Sequence, residues 1–305
     1  SASAFQATQD AAIREAVRLQ QEAGLAVVTD GEFRRSSYWG RFVERCQGFA
    51  IRPAAFKFRD DHGHEADFTA TYAASKLARL QPLAADEFAF LKSVAAATPK
   101  ITMPAPSTMH FYRCTDFGDP AVYADARHFF ADLTAIYRAE IADLGAAGCR
   151  YIQLDEVAVA MLCDPAIRQR IAAAGQQPDA LVDLYIGAIN DAVAAAPADM
   201  AIGVHMCRGN FRGRYLSEGG YESVAERFFV NSRVSHFLLE YDTPRAGDFK
   251  PLRFLPKDKG VVLGLVSTKT PVLEPLDDLK RRVAEAAKHI ELGRLGIGPQ
   301  CGFAS

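Results

Sequence analysis

The sequence predicts an α/β protein of the (β/α)8 TIM-barrel type. Three features point there. Short apolar runs rich in β-branched residues recur along the chain, longer helical patterns separate them, and the runs end in polar or thiol-bearing residues. Strands alternating with helices imply a parallel sheet, and seven such units exceed what a small doubly wound domain needs. A barrel uses them all and gathers the C-terminal strand ends on one rim.

The chain opens in a helical pattern at 7–23, so a first strand is expected upstream of Ser1, and the absence of an initial Met fits processing or truncation there. The first strand within the sequence is 25–29. Residues 47–91 break the rhythm and read as an insertion, with a hairpin around 56–72 and a helix from Ala84. Strands follow at 100–104, 151–154, 201–204, 235–239, 261–266 and 295–298, with helices at 123–144, 178–195, 221–231 and 275–292. Asp119-Pro120 and Asp164-Pro165 each supply an N-cap followed by Pro at the first helical position. Gly145 and Gly148 mark the end of the helix that begins near Tyr123.

Of the 305 residues, 49% are hydrophobic and 24% charged, and the net charge is −2. These proportions exclude disordered, collagen-like and coiled-coil proteins. No apolar run reaches the roughly 18 residues of a membrane span. Near-neutral charge gives no electrostatic reason for nucleic acid or anionic lipid as the main partner, which leaves small molecules. Cys46, Cys114, Cys149, Cys163, Cys207 and Cys301 are scattered without a C-x-x-C pair and read as reduced thiols. Residues 1–20 carry charges and lack an apolar stretch, so no signal peptide is visible and a cytoplasmic location is expected. No repeat or linker divides the chain, so residues 1–305 are expected to form one domain.

Catalytic groups of a barrel sit at the C-terminal strand ends. Here those ends read Asp30-Gly31-Glu32, then Pro104 to His110 with Ser107 inside it, Asp155-Glu156, His205-Met206-Cys207, Glu240-Tyr241-Asp242, Ser267-Thr268-Lys269 and Gln300-Cys301-Gly302. In His205-x-Cys207, alternate residues of an extended segment point the same way and reach one ion. An imidazole, two thiolates and a carboxylate, from His205, Cys207, Cys301 and Glu240, suit zinc. Taken singly, each has a plainer reading: Cys301 as an incidental thiol, Glu240 as a partner of Arg245, and Asp155-Glu156 as a helix cap. His62, His64 and His110 are expected to be solvated or hydrogen-bonded, and Cys114, Cys149 and Cys163 to be core or loop residues. Gly296-x-Gly298 lacks the following helix of a dinucleotide fingerprint.

Four segments together resemble the catalytic C-terminal barrel of the cobalamin-independent methionine synthase family: TDGE at 29–32, LDE at 154–156, HMC at 205–207 and GPQCG at 298–302. Glu240 falls where that family places its glutamate ligand. The resemblance implies a barrel in which His205, Cys207, Glu240 and Cys301 bind zinc. The ion would take up a substrate thiol and lower its pKa, and the thiolate would displace a methyl group from a donor. It also implies that Glu32 and Asp155 hold the amino group of homocysteine. Ser107 is grouped with them as substrate-facing, and Asp155 and Lys269 are the candidate catalytic residues. Lys269, within Ser-Thr-Lys-Thr-Pro, stands where the family has a histidine proposed to assist proton transfer. The family's full-length enzymes carry a further N-terminal barrel for the folate tail, absent from these residues. The donor is therefore either a folate or a methylated corrinoid borne by a carrier protein.

Arg34-Arg35 beside Glu32 reads either as an anion site at the barrel mouth or as two solvated loop residues. Tyr38 and Trp39 either wall the pocket or pack beneath the insertion. Three alternatives stand beside methyl transfer to homocysteine: alkyl transfer to another thiol such as coenzyme M, a metal-free decarboxylase of the related porphyrin-processing barrels, and a non-catalytic zinc or thiol binder. Barrels of this kind often self-associate, so a homo-oligomer is compatible with the reading.

Overall fold

A computed structural model describes residues 2–303. The chain begins with helix α1 (Ala2–Glu22), whose Ile13 and Val17 pack on Val28 and Leu91. Strand β1 (Val27–Val28) and short helix α2 (Gly40–Glu44) lead into the insertion. This consists of β2 (Cys46–Pro53), β3 (Phe58–Arg59), β4 (Glu65–Ala66) and β5 (Thr69–Arg79), followed by α3 (Ala85–Val94). The main run is β6 (Thr98–Pro99), β7 (Ile101–Pro104), α4 (Thr108–Phe111), α5 (Ala126–Ala146) and β8 (Tyr151–Glu156). It continues with α6 (Ala158–Met161), α7 (Pro165–Ala173), α8 (Pro178–Ala192), β9 (Ala201–Met206), α9 (Glu222–Asn231), β10 (His236–Glu240), β11 (Gly260–Val266), α10 (Leu276–Ala286) and β12 (Leu295–Pro299).

Strands β7 to β12 form one parallel sheet in chain order, and β1 pairs in parallel with β6. The break between β6 and β7 is slight, because the Lys100 N–H still donates to the Val28 carbonyl. This is the (β/α)8 arrangement, with seven strand positions among the described residues. Each predicted strand appears, and several run one or two residues further into the polar ends. Asp155 and Glu156 pair in register with His205 and Met206, because ladder bonds join backbones and do not require apolar side chains. Gly264 makes close packing there possible: a Cβ on it would lie 2.8 Å from Gln300 Cα and 2.8 Å from the Leu239 carbonyl. Among the described residues, no helix is long and apolar enough to cross a membrane.

The insertion is the expected hairpin with longer arms. Strands β2 and β5 pair antiparallel with a bulge at Gly48, and β3 with β4 forms the tip. The tip folds onto the loop after β9: Arg59 and Tyr215 exchange backbone hydrogen bonds of 2.8 and 2.9 Å, and the Phe58 and Phe211 rings lie 5.3 Å apart. The expected helix after Ala84 is α3.

Capping departs from expectation in one place. Asp164 accepts from the Ala166 N–H with Pro165 at the first helical position, as predicted. Asp119-Pro120 instead closes a turn, and Asp125 caps α5 by accepting from the Arg127 and His128 N–H groups. The cause is tertiary: the Asp119 N–H donates to the Ala73 carbonyl, and the buried Tyr123 hydroxyl accepts from the Leu77 N–H. Both tie this stretch to β5. Helix α5 ends as the glycines suggested. Gly148 at φ +93° lets Cys149 N–H reach the Leu144 carbonyl and its own N–H reach that of Gly145.

Candidate metal centre

The last turns of β9 and the loop after β12 bring three soft donors together. His205 Nε2 or Nδ1, Cys207 Sγ and Cys301 Sγ lie within 4.8 Å of one another. The two sulfurs are 3.8 Å apart, and both cysteines are free. A tetrahedral zinc with sulfurs at about 2.3 Å would hold them about 3.8 Å apart. Cys301 is fixed from behind by Gln300, whose N–H donates to the Val266 carbonyl and whose Nε2 donates to Thr268 Oγ1. His205 Nε2 and Glu240 Oε1 are both buried without a hydrogen-bond partner. A buried imidazole nitrogen without a hydrogen-bond partner beside two paired thiols, with a buried carboxylate oxygen met only by the Lys269 ammonium at 3.5 Å, is a donor set that fits a metal ion.

Glu240 is not part of the three-donor cluster, but it is tied to it. Its Oε2 accepts from the Arg208 N–H at 2.7 Å, one residue beyond Cys207. Tyr221 joins the two strand ends: its hydroxyl donates to the Met206 carbonyl at 2.7 Å and accepts from the Glu240 N–H at 2.9 Å. It also accepts from Arg208 Nη1 at 2.9 Å. Arg208 is fully buried, and its Nε and Nη2 donate to the Gly219 carbonyl while Nη1 also reaches the Glu240 carbonyl at 3.5 Å.

The charges are strongly interdependent. The Cys301 thiol donates to Cys207 and, with His205, holds the Cys207 thiol well below its ordinary pKa, against the effect of burial. Cys301 is pushed up in return. Burial alone would depress His205, but Cys207 and Asp155 outweigh it and raise its pKa to about 9. Burial lifts Asp155 to about 6, with the neighbouring Glu32 charge adding to the rise and His205 opposing it. Burial likewise lifts Glu156 to about 7.

Asp155 and Glu32, the two acids expected to hold an amino group, lie near enough for the Glu32 charge to act on Asp155. Asp155 pairs in register with His205, and its Oδ1 accepts from Gln153 Nε2 at 2.7 Å. Glu32 adopts a left-handed backbone at φ +58°, which turns its carboxylate toward Thr102 Oγ1 and Arg35. Three other expectations are corrected. Arg35, with a 5% exposed side chain, is spent on fully buried Glu87 and on Thr102. Arg34 pairs with Asp10 and lies over the Phe90 ring. Neither guanidinium is free at the mouth, because a cation this deep requires an internal counter-charge. Ser107 is fully buried and donates to Glu156, so it faces the core rather than a substrate.

Lys269 does reach the site, where its Nζ lies 3.5 Å from Glu240 Oε1 and 4.0 Å from Asp242 Oδ2. His110 is buried and hydrogen-bonded to the Tyr185 hydroxyl at 3.0 Å. Tyr38 is half-buried, and its hydroxyl meets that of Tyr112 at 3.0 Å, with Cys207 and Asp155 near enough to perturb it. Sequence reasoning assigned no role to Tyr112, Arg208 or Tyr221, and named Asp242 only as part of a strand end. Only Asp242 carried a local signal, as the second acid at the end of its strand.

A family model described as "Cobalamin-independent synthase, Catalytic domain" matches residues 1–305. The chain is 40% identical over 300 residues to "Uncharacterized protein YxjH" of Bacillus subtilis (strain 168), covering 96% of this chain and 77% of that protein. It is 27% identical over 301 residues to a "Methionine synthase" of Pyrococcus abyssi, covering 98% and 76%. A solved structure titled as a putative vitamin-B12 independent methionine synthase from Listeria monocytogenes superposes with a TM-score of 0.75 at 30% identity, covering 98% of this chain and 81% of that one. The chain belongs to the family of cobalamin-independent synthase catalytic domains.

Proposed function

We propose that the chain is a zinc-dependent methyltransferase that methylates the thiol of homocysteine to give methionine. One observation carries the reading: His205, Cys207 and Cys301 place three metal-binding atoms within 4.8 Å at the C-terminal end of the barrel strands. Asp155 stands in register beside His205. The name of the Pyrococcus relative supports the same reaction.

His205, Cys207 and Cys301 would hold the zinc, with Glu240 as the fourth donor. When bound, the ion would lower the pKa of a coordinated substrate thiol and keep it as a nucleophilic thiolate near neutral pH. Asp155 and Glu32 would grip the substrate ammonium and orient the sulfur toward the methyl donor. A thiolate–carbon bond forms as the donor–methyl bond breaks, and the donor keeps the electron pair. The buried setting of Cys207 and His205 excludes water that would compete for the methyl group.

Free arginines at the mouth would suit the sulfonate of a thiol such as coenzyme M, but Arg34 and Arg35 are committed to Asp10 and Glu87. The test is a thiol competition assay with methyltetrahydrofolate and methylcobalamin as donors. Methionine formation with homocysteine supports the reading. Turnover confined to another thiol, or none with either donor in zinc-loaded protein, would overturn it.

A further inference from the structure

Glu240 and Asp242 lie two residues apart at the end of β10, and both side chains are fully buried. One oxygen of each is already engaged. Glu240 Oε2 accepts from the Arg208 N–H, and Asp242 Oδ2 accepts from the Ser267 hydroxyl at 2.7 Å. The other two, Glu240 Oε1 and Asp242 Oδ1, have no hydrogen-bond partner, and neither does Lys269 Nζ. That ammonium, on a 6% exposed side chain, reaches both carboxylates at 3.5 and 4.0 Å without settling on either. The Lys269 ammonium thus faces two buried anions, alongside Arg208, whose charge also acts on Glu240, and Arg282, whose charge also acts on Asp242; Glu240 is the candidate fourth metal ligand.

We infer that Lys269 is a built-in counter-cation that competes with the metal ion for Glu240 Oε1 and so sets the zinc affinity of the site, with Asp242 as the position to which the ammonium retreats when the metal loads. The inference rests on the zinc reading above. A lysine ammonium is a point charge on a flexible stem, so it can move between the two acids while remaining buried. In the metal-free chain it is the cation nearest the free oxygens of both carboxylates and adds to the opposing charge of Arg208 and Arg282, so that its loss would destabilise the fold. In the loaded chain it is a positive charge close to a dication, and that repulsion weakens binding.

Zinc affinity is measured on the full chain by chelator competition, with thermal melting in the presence and absence of zinc as a second readout. Lys269→Gln is expected to bind zinc about tenfold more tightly or better, as removal of one nearby charge implies at an intermediate dielectric. It should also melt lower than the native chain without metal and gain more from zinc. Lys269→Arg keeps the charge and should behave as the native chain. Asp242→Asn removes the retreat position and should bind zinc several-fold more weakly. Equal or weaker zinc binding by Lys269→Gln would overturn the inference. If that variant does not fold, Asp242→Asn binding zinc as tightly as the native chain or more tightly would overturn it. A native chain that takes up no zinc removes the zinc reading itself, whereas native binding with unaltered variants removes only this inference.

Discussion

Replacing Tyr221 with phenylalanine removes one oxygen from a fully buried position. That oxygen donates to the Met206 carbonyl and accepts from the Glu240 N–H and from Arg208 Nη1. Phenylalanine offers no polar atom to replace it. Each of the two backbone groups loses a hydrogen bond worth about 1 kcal/mol, and the guanidinium loses a charge-assisted one worth about 1.5 kcal/mol. The expected loss is therefore about 3 to 4 kcal/mol. For a chain of this size that lowers Tm by roughly 5 to 6 °C. The same oxygen holds the ends of β9 and β10 together, and these ends carry Cys207 and Glu240. Loosening such outer contacts typically costs about 10- to 100-fold in metal affinity. The assay is calorimetric melting of the metal-free variant together with chelator-competition zinc titration. A Tm within about 1 °C of the native value, with zinc affinity unchanged, would refute the reasoning that Tyr221 ties the two ligand-bearing strand ends.

Asp155→Asn should raise KM for homocysteine at least about tenfold while lowering kcat less, since under the proposed function it removes a charge that would grip the substrate ammonium; an unchanged KM would remove Asp155 from substrate binding. Arg35→Met leaves buried Glu87 with only Arg41, whose Nε lies 3.6 Å from Oε1, and should cost about 2 to 3 kcal/mol in denaturant unfolding, with little change in KM in whatever fraction remains folded. A stable variant with a raised KM would restore Arg35 as a substrate contact. His110, pressed by burial to a pKa of about 3, binds fewer protons folded than unfolded between pH 6.5 and 3. Its contribution is therefore lost as pH falls through that window, up to about 5 kcal/mol by linkage. Glu156, raised to about 7, acts in the opposite sense and adds stability as pH falls from 7 toward 4.5. Urea unfolding across this range should show that His110→Gln flattens the acid limb, and an unaltered slope would contradict the assignment.

The barrel was legible because its signal is local: β-branched runs, helical periods and a two-residue alternation that aims His205 and Cys207 together. Strand ends were underread at Asp155, Glu156 and His205, where polar side chains sit on a ladder that backbone pairing alone sustains. What the sequence concealed depends on distant partners. Arg35 looked available because Glu87, its counter-charge, lies 52 residues away. Asp119-Pro120 has the local form of a helix start, yet a bond to Ala73 makes it a turn. Tyr221 and Arg208 fall in no motif, and their role exists only once β9 and β10 lie side by side. Cys301 has little meaning on its own; the GPQCG segment around it marked it as a candidate ligand, and the fold brings its sulfur to 3.8 Å from that of Cys207.

The most direct measurement is the zinc content of the purified chain, prepared without chelators and reloaded with metal, beside a Cys301→Ser variant treated identically. About one tightly held zinc per native chain is expected, with the variant losing it or binding at least about 100-fold more weakly while retaining a native circular dichroism spectrum. Native protein that retains no zinc after reloading, or a variant that holds the ion equally well, would contradict a metal centre built from the ends of β9 and β12.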